Sequence, residues 1–273
     1  MTRLQAKFSE LKNRGEAALI PFVTAGDPDL KTTLEVMRAL EAGGADCIEV
    51  GVPFSDPTAD GPTIQQASER ALRNHITITG ILKMLRKFRD GSSVPVILFG
   101  YFNPFLQFGL ENFSKQAARA GADGVLCVDL PPEESGELKC WTDAQGMDLI
   151  FLLSPTSGPE RVKLVARKGR GFIYYVSVTG VTGARRSFDD QLRRKVAEVQ
   201  RLTSLPVGVG FGISTPGQAA EIAEFADAVV IGSALVQVIE RAKGNSAKAQ
   251  AAGDFIARIS QAIKRSRGRS RRK

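Results

Sequence analysis

The sequence of 273 residues has one histidine, three cysteines and no long apolar run. A catalytic zinc site needs several ligands, so the lone His75 predicts a surface residue, and we expect no metal site. Cys47 and Cys127 lie inside apolar runs, where cysteine behaves as a small hydrophobic residue, and Cys140 has no partner at metal-ligand spacing. This usage favours a reduced, cytoplasmic setting. No run approaches the roughly 20 apolar residues of a membrane helix.

Cofactor signatures are also missing. No GxGxxG motif follows the first apolar run, so a dinucleotide site is unsupported. No lysine lies inside the apolar runs, which argues against a Schiff-base mechanism. The first residues lack the basic, apolar and small-residue order of a signal peptide. We therefore expect acid–base chemistry by carboxylates, without a cofactor bound to this chain.

The net charge of +8 is concentrated in the last ten residues. The segment from Lys264 to Lys273 has seven basic residues and no acidic one, which leaves 8 − 7 = +1 for the remainder. We predict a single catalytic domain over residues 1–263 and a disordered basic tail over 264–273. A solvated end and a contact with RNA, DNA or anionic lipid both remain open for the tail.

Short apolar runs alternate with amphipathic segments along the whole chain. The runs are nearly continuous and rich in Val, Ile and aromatic residues, as in strands buried on both faces. They begin at Ala18, Asp46, Pro95, Gly124, Leu149, Phe172, Pro206 and Ala228. Eight parallel strands with helical crossovers favour an α/β fold of the (β/α)₈ TIM-barrel type over an open doubly wound sheet. Leu4, Phe8 and Leu11 add an N-terminal helix to this barrel.

Three acidic residues lie in the second run and in the loop that follows it. Glu49 lies within the run, so burial should raise its pKa and let it give and take protons near neutral pH. A buried glutamate paired with a cation or with backbone donors is the alternative. Asp56 and Asp60 lie on the next loop, among prolines that restrict its freedom. For Asp60, turn formation or capping of the following helix is the alternative.

Glycine-rich turns follow the seventh and eighth runs, in GVGFGIST and VVIGSAL. Backbone N–H groups at helix starts bind anions, and barrels bind phosphate after these two strands. The alternative is that these glycines only form tight turns. The sixth run leads into SVTGVTGARRSFDD, which predicts a loop that closes over the phosphate site. Arg185 and Arg186 could assist with the anion or simply be solvated.

Longer motifs resemble the tryptophan synthase alpha subunit family over about residues 1 to 262. They are PFVTAGDP from Pro21, IEVGVPFSDPTADGPTIQ from Ile48, DLPPEE from Asp129, GVTGAR from Gly180, GFGIS from Gly210 and IGSA from Ile231. Thr58 departs from the family, which more often has Leu there. The basic tail lies outside the family pattern. The resemblance implies retro-aldol cleavage of indole-3-glycerol phosphate to indole and glyceraldehyde 3-phosphate.

The resemblance also implies roles for individual residues. Glu49 would be the acid–base group, Asp60 would bind the indole N–H and Tyr174 would support them. Thr182 would link the closing loop to Asp60. The phosphate would be held by Gly183, Phe211, Gly212, Gly232 and Ser233, and the indole pocket would contain Phe22, Tyr101, Leu126 and Val128, with Phe211 also beside the indole.

A partner is implied too, namely the beta subunit with its pyridoxal phosphate, in an α₂β₂ assembly. The interface would include Pro53, Asp56, Asn103, Pro104 and Pro131. Three other interpretations stay open: a sugar-phosphate isomerase barrel, an indole-glycerol-phosphate lyase without a partner, and a nucleic-acid-binding or scaffolding protein that uses its tail. The first of these would not need VPFSDPTADGPTIQ.

Overall fold

Eight parallel strands pair in sequence order, and the last returns to pair with the first. In this computed structural model the backbone is described for residues 1–176, 190–210 and 212–270, with side chains described to 266. The strands are β1 Ala18–Thr24, β2 Ile48–Gly51, β3 Val96–Gly100, β4 Gly124–Cys127, β5 Asp148–Leu153, β6 Ile173–Val176, β7 Val207–Gly210 and β8 Ala228–Ile231. Pairing of β1 with β8 closes the barrel and confirms the predicted fold.

Twelve helices are found in the described residues, and the crossover helices lie outside the barrel. They are α1 Arg3–Arg14, α2 Leu30–Ala42, α3 Pro62–Arg73, α4 Ile78–Arg89, α5 Phe102–Phe108, α6 Leu110–Ala120, α7 Gly136–Ala144, α8 Pro159–Lys168, α9 Asp190–Leu202, α10 Pro216–Ala223, α11 Ser233–Arg241 and α12 Asn245–Ser270. Within the described part of the chain, none is long and apolar enough to cross a membrane.

The N-terminal helix α1 closes the bottom of the barrel. Leu4, Phe8 and Leu11 are buried in the same apolar cluster as the inward side chains of the strands. The Thr2 hydroxyl donates to the Asp148 carboxylate at 2.6 Å and also caps the helix. With the bottom closed, the barrel interior is reached from the carboxyl ends of the strands, where barrel enzymes carry their active sites.

The side chains inside the barrel follow the two-residue period of the strands. Inward residues include Ile20, Ile97, Leu126 and Ile150, whereas their neighbours in sequence pack against the helices. Register pairs Phe22 with Glu49, and Glu49 with Ile97. The parity that buries Cys47 in the interior therefore directs the Glu49 side chain inward as well.

The C-terminal helix α12 differs from the predicted boundary. The sequence predicts a disordered tail from Lys264, whereas α12 continues through this point to Ser270. Its buried side chains include Ile256, Ile259 and Ile263, spaced three and four residues apart on one face. Four of the seven residues from Lys264 to Ser270 are Lys or Arg, which are good helix formers, so a cluster of basic residues does not by itself end the helix.

Candidate active site

Glu49 is an unpaired carboxyl inside the barrel. Its side chain is 1% exposed, and its Oε1 atom has no hydrogen-bond partner. Burial alone raises the pKa of Glu49 to about 8. A glutamate that served only to fill the core would need a cation or donors to offset its desolvation. The geometry instead gives a carboxyl that carries a proton at neutral pH and can release it to a substrate.

Asp60 lies on the loop before α3 and is held from two sides. The Tyr101 hydroxyl accepts a hydrogen bond from the Ala59 N–H at 2.9 Å, and the Gln65 amide donates to the Asp60 carbonyl at 2.9 Å. Burial raises the pKa of Asp60 to about 6, and the hydrogen bond from Tyr101 offsets part of this rise. Asp60 is therefore ionised at neutral pH and can accept a hydrogen bond.

The alternative role of Asp60, capping of α3, is not observed. Gly61 is the N-cap residue of that helix, and no side chain caps it. The Asp60 backbone N–H bonds to the Pro57 carbonyl in a turn, so the turn interpretation applies to its backbone. Its carboxylate is left available for another partner.

Tyr174 lies on β6, within the electrostatic range of Glu49 and Asp60. It is 6% exposed, and its pKa is raised well above the ordinary value by burial first and then by the charges of Glu49 and Asp60. The neighbouring strand makes room for its hydroxyl, because a Cβ atom on Gly210 would lie 2.2 Å from the Tyr174 Oη atom. A neutral hydroxyl thus lies within electrostatic reach of Glu49 and Asp60 at the mouth of the barrel.

The two glycine-rich turns differ in their capacity for an anion. Helix α10 is capped by its own residues, since the Thr215 hydroxyl accepts from the Gln218 N–H and the Gln218 side chain accepts from the Thr215 N–H. Helix α11 has Gly232 at its N-cap and no side-chain cap. The first hydrogen bonds of α11 run from the N–H groups of Leu235 and Val236 to the Gly232 carbonyl. The N–H groups of Ser233 and the next residue come before these bonds and have no acceptor within the helix.

An anion site is therefore best supported at the start of α11, where uncapped N–H groups and the helix dipole favour negative charge. Ser233 is exposed there, and Gly232 is partly exposed. Gly212 is exposed with a φ of 75°, which is the left-handed region that glycine tolerates. The predicted phosphate residues Gly183 and Phe211 and the loop residue Thr182 lie outside the described residues, as do Arg185 and Arg186.

Apolar side chains surround the mouth. Phe22 is 6% exposed and packs edge to face on Phe99, with ring centroids 5.2 Å apart. Tyr101 and Leu126 are buried, and Leu126 lies in the barrel core beneath the half-buried Val128. Sequence reasoning missed three half-buried residues that pack on the same cluster, namely Phe99, Leu152 and Val176. The alternation of side chains along β3, β5 and β6 places these three residues on the inner face of the barrel, and this pattern could have identified them from the sequence.

The residues predicted at a subunit interface come from the three segments that follow β2, β3 and β4, with Asn103 and Pro104 in the first turn of α5. Asp56 and Asn103 are exposed, Pro104 and Pro131 are partly exposed, and Pro53 is buried within the chain. Phe54 and Tyr101 pack with ring centroids 5.2 Å apart, and the Phe102 N–H donates to the Asp129 carboxylate at 2.8 Å. These contacts join the segments that follow β2, β3 and β4 into one surface.

The sole histidine and the cysteines lie away from this mouth or serve in packing. His75 is exposed just after α3 with a φ of 52°. Cys47 and Cys127 are buried, Cys140 is exposed, and all three are free thiols. Among the residues that the structure describes, no group of three or more His, Cys, Asp and Glu side chains could hold a metal ion.

Fold and site together point to a class of enzyme: a (β/α)₈ barrel with two carboxyl groups of raised pKa, Glu49 and Asp60, and an uncapped helix start at one end of the barrel. Residues 8–264 match the family model described as tryptophan synthase alpha chain. The chain belongs to this family, whose role is the cleavage of indole-3-glycerol phosphate and the transfer of indole to a beta subunit, and it is therefore a lyase.

Individual relatives agree over nearly the full length. The tryptophan synthase alpha chain of Geobacter sp. (strain M21) is 55% identical over 263 residues, covering 96% of this chain and 98% of the relative. A crystal structure of the alpha subunit from Legionella pneumophila str. Paris has 40% identity and a TM-score of 0.90, covering 97% of this chain and 99% of that one.

A third relative is a solved structure concerned with mutual activation of the tryptophan synthase α₂β₂ complex from the hyperthermophile Pyrococcus furiosus. It has 37% identity and a TM-score of 0.84, and it covers 89% of this chain and 98% of that one. Residues 265–273 of the present chain lie beyond the matched family model.

Proposed function

We propose that this chain cleaves indole-3-glycerol phosphate with Glu49 as the acid–base group. The observation that carries the proposal is the unpartnered, buried Glu49 carboxyl with its pKa of about 8. A protonated carboxyl at neutral pH is suited to protonate the indole ring at C3, which weakens the bond to the glycerol chain. The family role supplies the substrate.

One carboxyl group, that of Glu49, is enough for both proton transfers of the reaction. Glu49 gives its proton to C3 and becomes a carboxylate. It then takes the proton of the glycerol hydroxyl as that oxygen becomes the aldehyde oxygen of glyceraldehyde 3-phosphate. The carbon–carbon bond breaks, and its electron pair returns to the indole ring. Glu49 ends protonated, as it began, so no external acid or base is consumed.

Asp60 and Tyr174 support this step by electrostatics. Protonation at C3 places positive charge on the indole nitrogen, and the ionised Asp60 accepts the N–H hydrogen bond and stabilises that charge. The neutral Tyr174 hydroxyl lies within the electrostatic range of both carboxyls and orients the reacting groups. We propose that Thr182 contacts Asp60 when the loop after β6 closes.

The other end of the substrate carries the phosphate. We propose that it binds at the start of α11, at Gly232 and Ser233, with Gly183, Phe211 and Gly212 completing the site. Phe22, Tyr101, Leu126 and Val128 would contact the indole together with Phe99. Apolar walls exclude water, which strengthens the charge interactions of Glu49 and Asp60.

We further propose that the chain works with a beta subunit that carries pyridoxal phosphate, in an α₂β₂ assembly. The Pyrococcus furiosus structure supports the assembly. The exposed Asp56 and Asn103 and the partly exposed Pro104 and Pro131 would form the interface, with Pro53 supporting the loop from within. Beta binding would order the loop that carries Asp60 and raise the cleavage rate. A reduced compartment, the cytoplasm, suits the three free thiols.

An indole-release assay tests the chemistry. The native chain should release indole from indole-3-glycerol phosphate, and Glu49→Gln should lose the activity by at least 100-fold, which is the usual minimum for a general acid–base group. Glu134→Gln, an exposed glutamate, is the matched control. Normal turnover by Glu49→Gln would remove the central assignment.

Gel filtration with a beta subunit tests the assembly, and rates measured with and without the beta subunit test the activation. A single peak at the mass of α₂β₂ and a faster cleavage rate are expected. A chain that cleaves the substrate, stays separate from the beta subunit and keeps one rate would instead be a lyase that acts alone.

A further inference from the structure

Two neighbouring helices begin at the two ends of the proposed substrate site. Helix α3 begins directly after Asp60, and helix α11 begins at Ser233, where the anion site is best supported. A substrate with an aromatic N–H at one end and a phosphate at the other must reach both starting points at once. The distance between the start of α3 and the start of α11 must therefore match the length of the substrate.

The helices contact each other through apolar side chains. Ile64 and Ala67 of α3 form one buried cluster with Val236 of α11, and Phe22 of β1 completes it. This apolar contact is non-directional, so it allows small sliding motions of one helix along the other. A directional contact is needed to fix the relative positions of the two helix starts.

A hydrogen bond between side chains supplies this direction. The Gln237 Nε2 atom donates to the Thr63 hydroxyl at 3.2 Å, and both side chains are partly buried. Thr63 follows Asp60 by three residues, and Gln237 follows Ser233 by four. At a rise of about 1.5 Å per residue, the bond lies within roughly 6 Å, measured along each helix axis, of both ends of the site.

The far end of α3 is tied separately. The Arg70 guanidinium donates to both oxygens of Asp27 at 2.9 and 2.8 Å, and to Glu240 of α11 at 2.7 Å. Glu240 is 42% exposed, so its ion pair is screened by water. This second contact stops α3 from pivoting, whereas the Thr63–Gln237 bond sets the spacing next to the site.

We infer that Thr63 and Gln237 are positioning residues, which hold Asp60 and the phosphate-binding start of α11 at the separation that the two-ended substrate requires. The inference rests on the proposed function, because it takes the phosphate to bind at α11 and the indole N–H at Asp60. Neither side chain needs to touch the substrate. Their loss should therefore affect ligands that span both ends and spare ligands that occupy one end.

Paired variants at Thr63 test this inference. Thr63→Val removes the hydroxyl at nearly constant shape, and we expect about tenfold lower kcat/KM for indole-3-glycerol phosphate, since small misplacements of reacting groups are costly. Thr63→Ser keeps the hydroxyl and should restore the rate to within about twofold. The dissociation constant of glycerol 3-phosphate, which occupies only the α11 end, should stay within about twofold in both.

Gln237→Leu removes the same hydrogen bond from its other side and should lower kcat/KM as Thr63→Val does. The double variant should be no slower than either single variant, because all three lose the same bond. Gln116→Ala, which removes a surface hydrogen bond within α6, is the control and should match the native chain. Unchanged kcat/KM in Thr63→Val, or equal weakening of glycerol 3-phosphate, would overturn the inference. Failure of the native chain to cleave the substrate would instead overturn the proposed function.

Discussion

Replacing Glu49 by glutamine should make the folded chain less dependent on pH while it abolishes activity. Burial raises the pKa of Glu49 from 4.5 to about 8. Between these values the folded state holds a proton that the unfolded chain has released, so the free energy of unfolding falls as pH rises. The loss is about 1.4 kcal/mol per pH unit midway between the two pKa values, which amounts to roughly 3 kcal/mol by pH 7 and about 4 kcal/mol by pH 8, where it begins to level off.

Glutamine has no proton to lose, so this loss disappears in the variant. The new amide is also buried, and its desolvation costs about 1–3 kcal/mol at every pH. The difference in free energy of unfolding between Glu49→Gln and the native chain is therefore most informative when it is followed as a function of pH. Near pH 5 the free energy of unfolding of Glu49→Gln should be no higher than that of the native chain. The free energy of the variant relative to the native chain should then increase steadily up to pH 8.

Urea unfolding at half-unit steps from pH 5 to 8.5, followed by circular dichroism, measures this difference. Glu134→Gln, at an exposed glutamate, is the control and should follow the native chain throughout. A constant difference between Glu49→Gln and the native chain would refute the reasoning. It would mean that the Glu49 carboxyl finds a partner in solution and ionises near its ordinary pKa.

Three further predictions follow from the site and the C-terminal helix. The pH profile of kcat/KM should rise through about pH 6, as Asp60 ionises, and fall through about pH 8, as Glu49 loses its proton; a profile flat from pH 5 to 9 would contradict both roles. Gly210→Ala should displace the Tyr174 hydroxyl and lower kcat/KM at least tenfold, with an unchanged circular dichroism spectrum. Full activity in this variant would mean that the hydroxyl is not needed at its present position. Deletion of residues 267–273 should leave Tm and kcat unchanged, because the last described buried side chain of α12 lies before them, and should weaken retention on a cation-exchange column; a lower Tm would show that these residues pack on the body.

The strands and the central carboxyl could be predicted because their signals are local. Continuous apolar runs give strands buried on both faces, and the position of Glu49 two residues after Cys47 already directs it inward. Asp60 required the family motif, since the same local sequence also suits a helix cap. Only the structure shows that Gly61 takes the cap position and leaves the carboxylate available.

Other features depend on contacts between distant segments and were not predictable. The two glycine-rich turns look alike in sequence, yet Gln218 caps α10 whereas α11 stays uncapped. The sequence analysis predicted a disordered tail from the start of the basic cluster at Lys264, whereas α12 continues to Ser270, because Lys and Arg are good helix formers. The bond from Gln237 to Thr63 joins residues 174 positions apart, which no local pattern encodes.

Closure of the barrel also sets an order of events during synthesis. The edge of β1 is completed by β8, which follows it by about 200 residues. At about 5–20 residues per second, a ribosome needs roughly 10–40 s to supply that partner. During this interval the first strand presents unpaired backbone groups, which are a template for association with other chains. The demand for chaperones should therefore be greatest before the last strand emerges, and it should fall once residues up to Ile263 are available to cover α2 and α10.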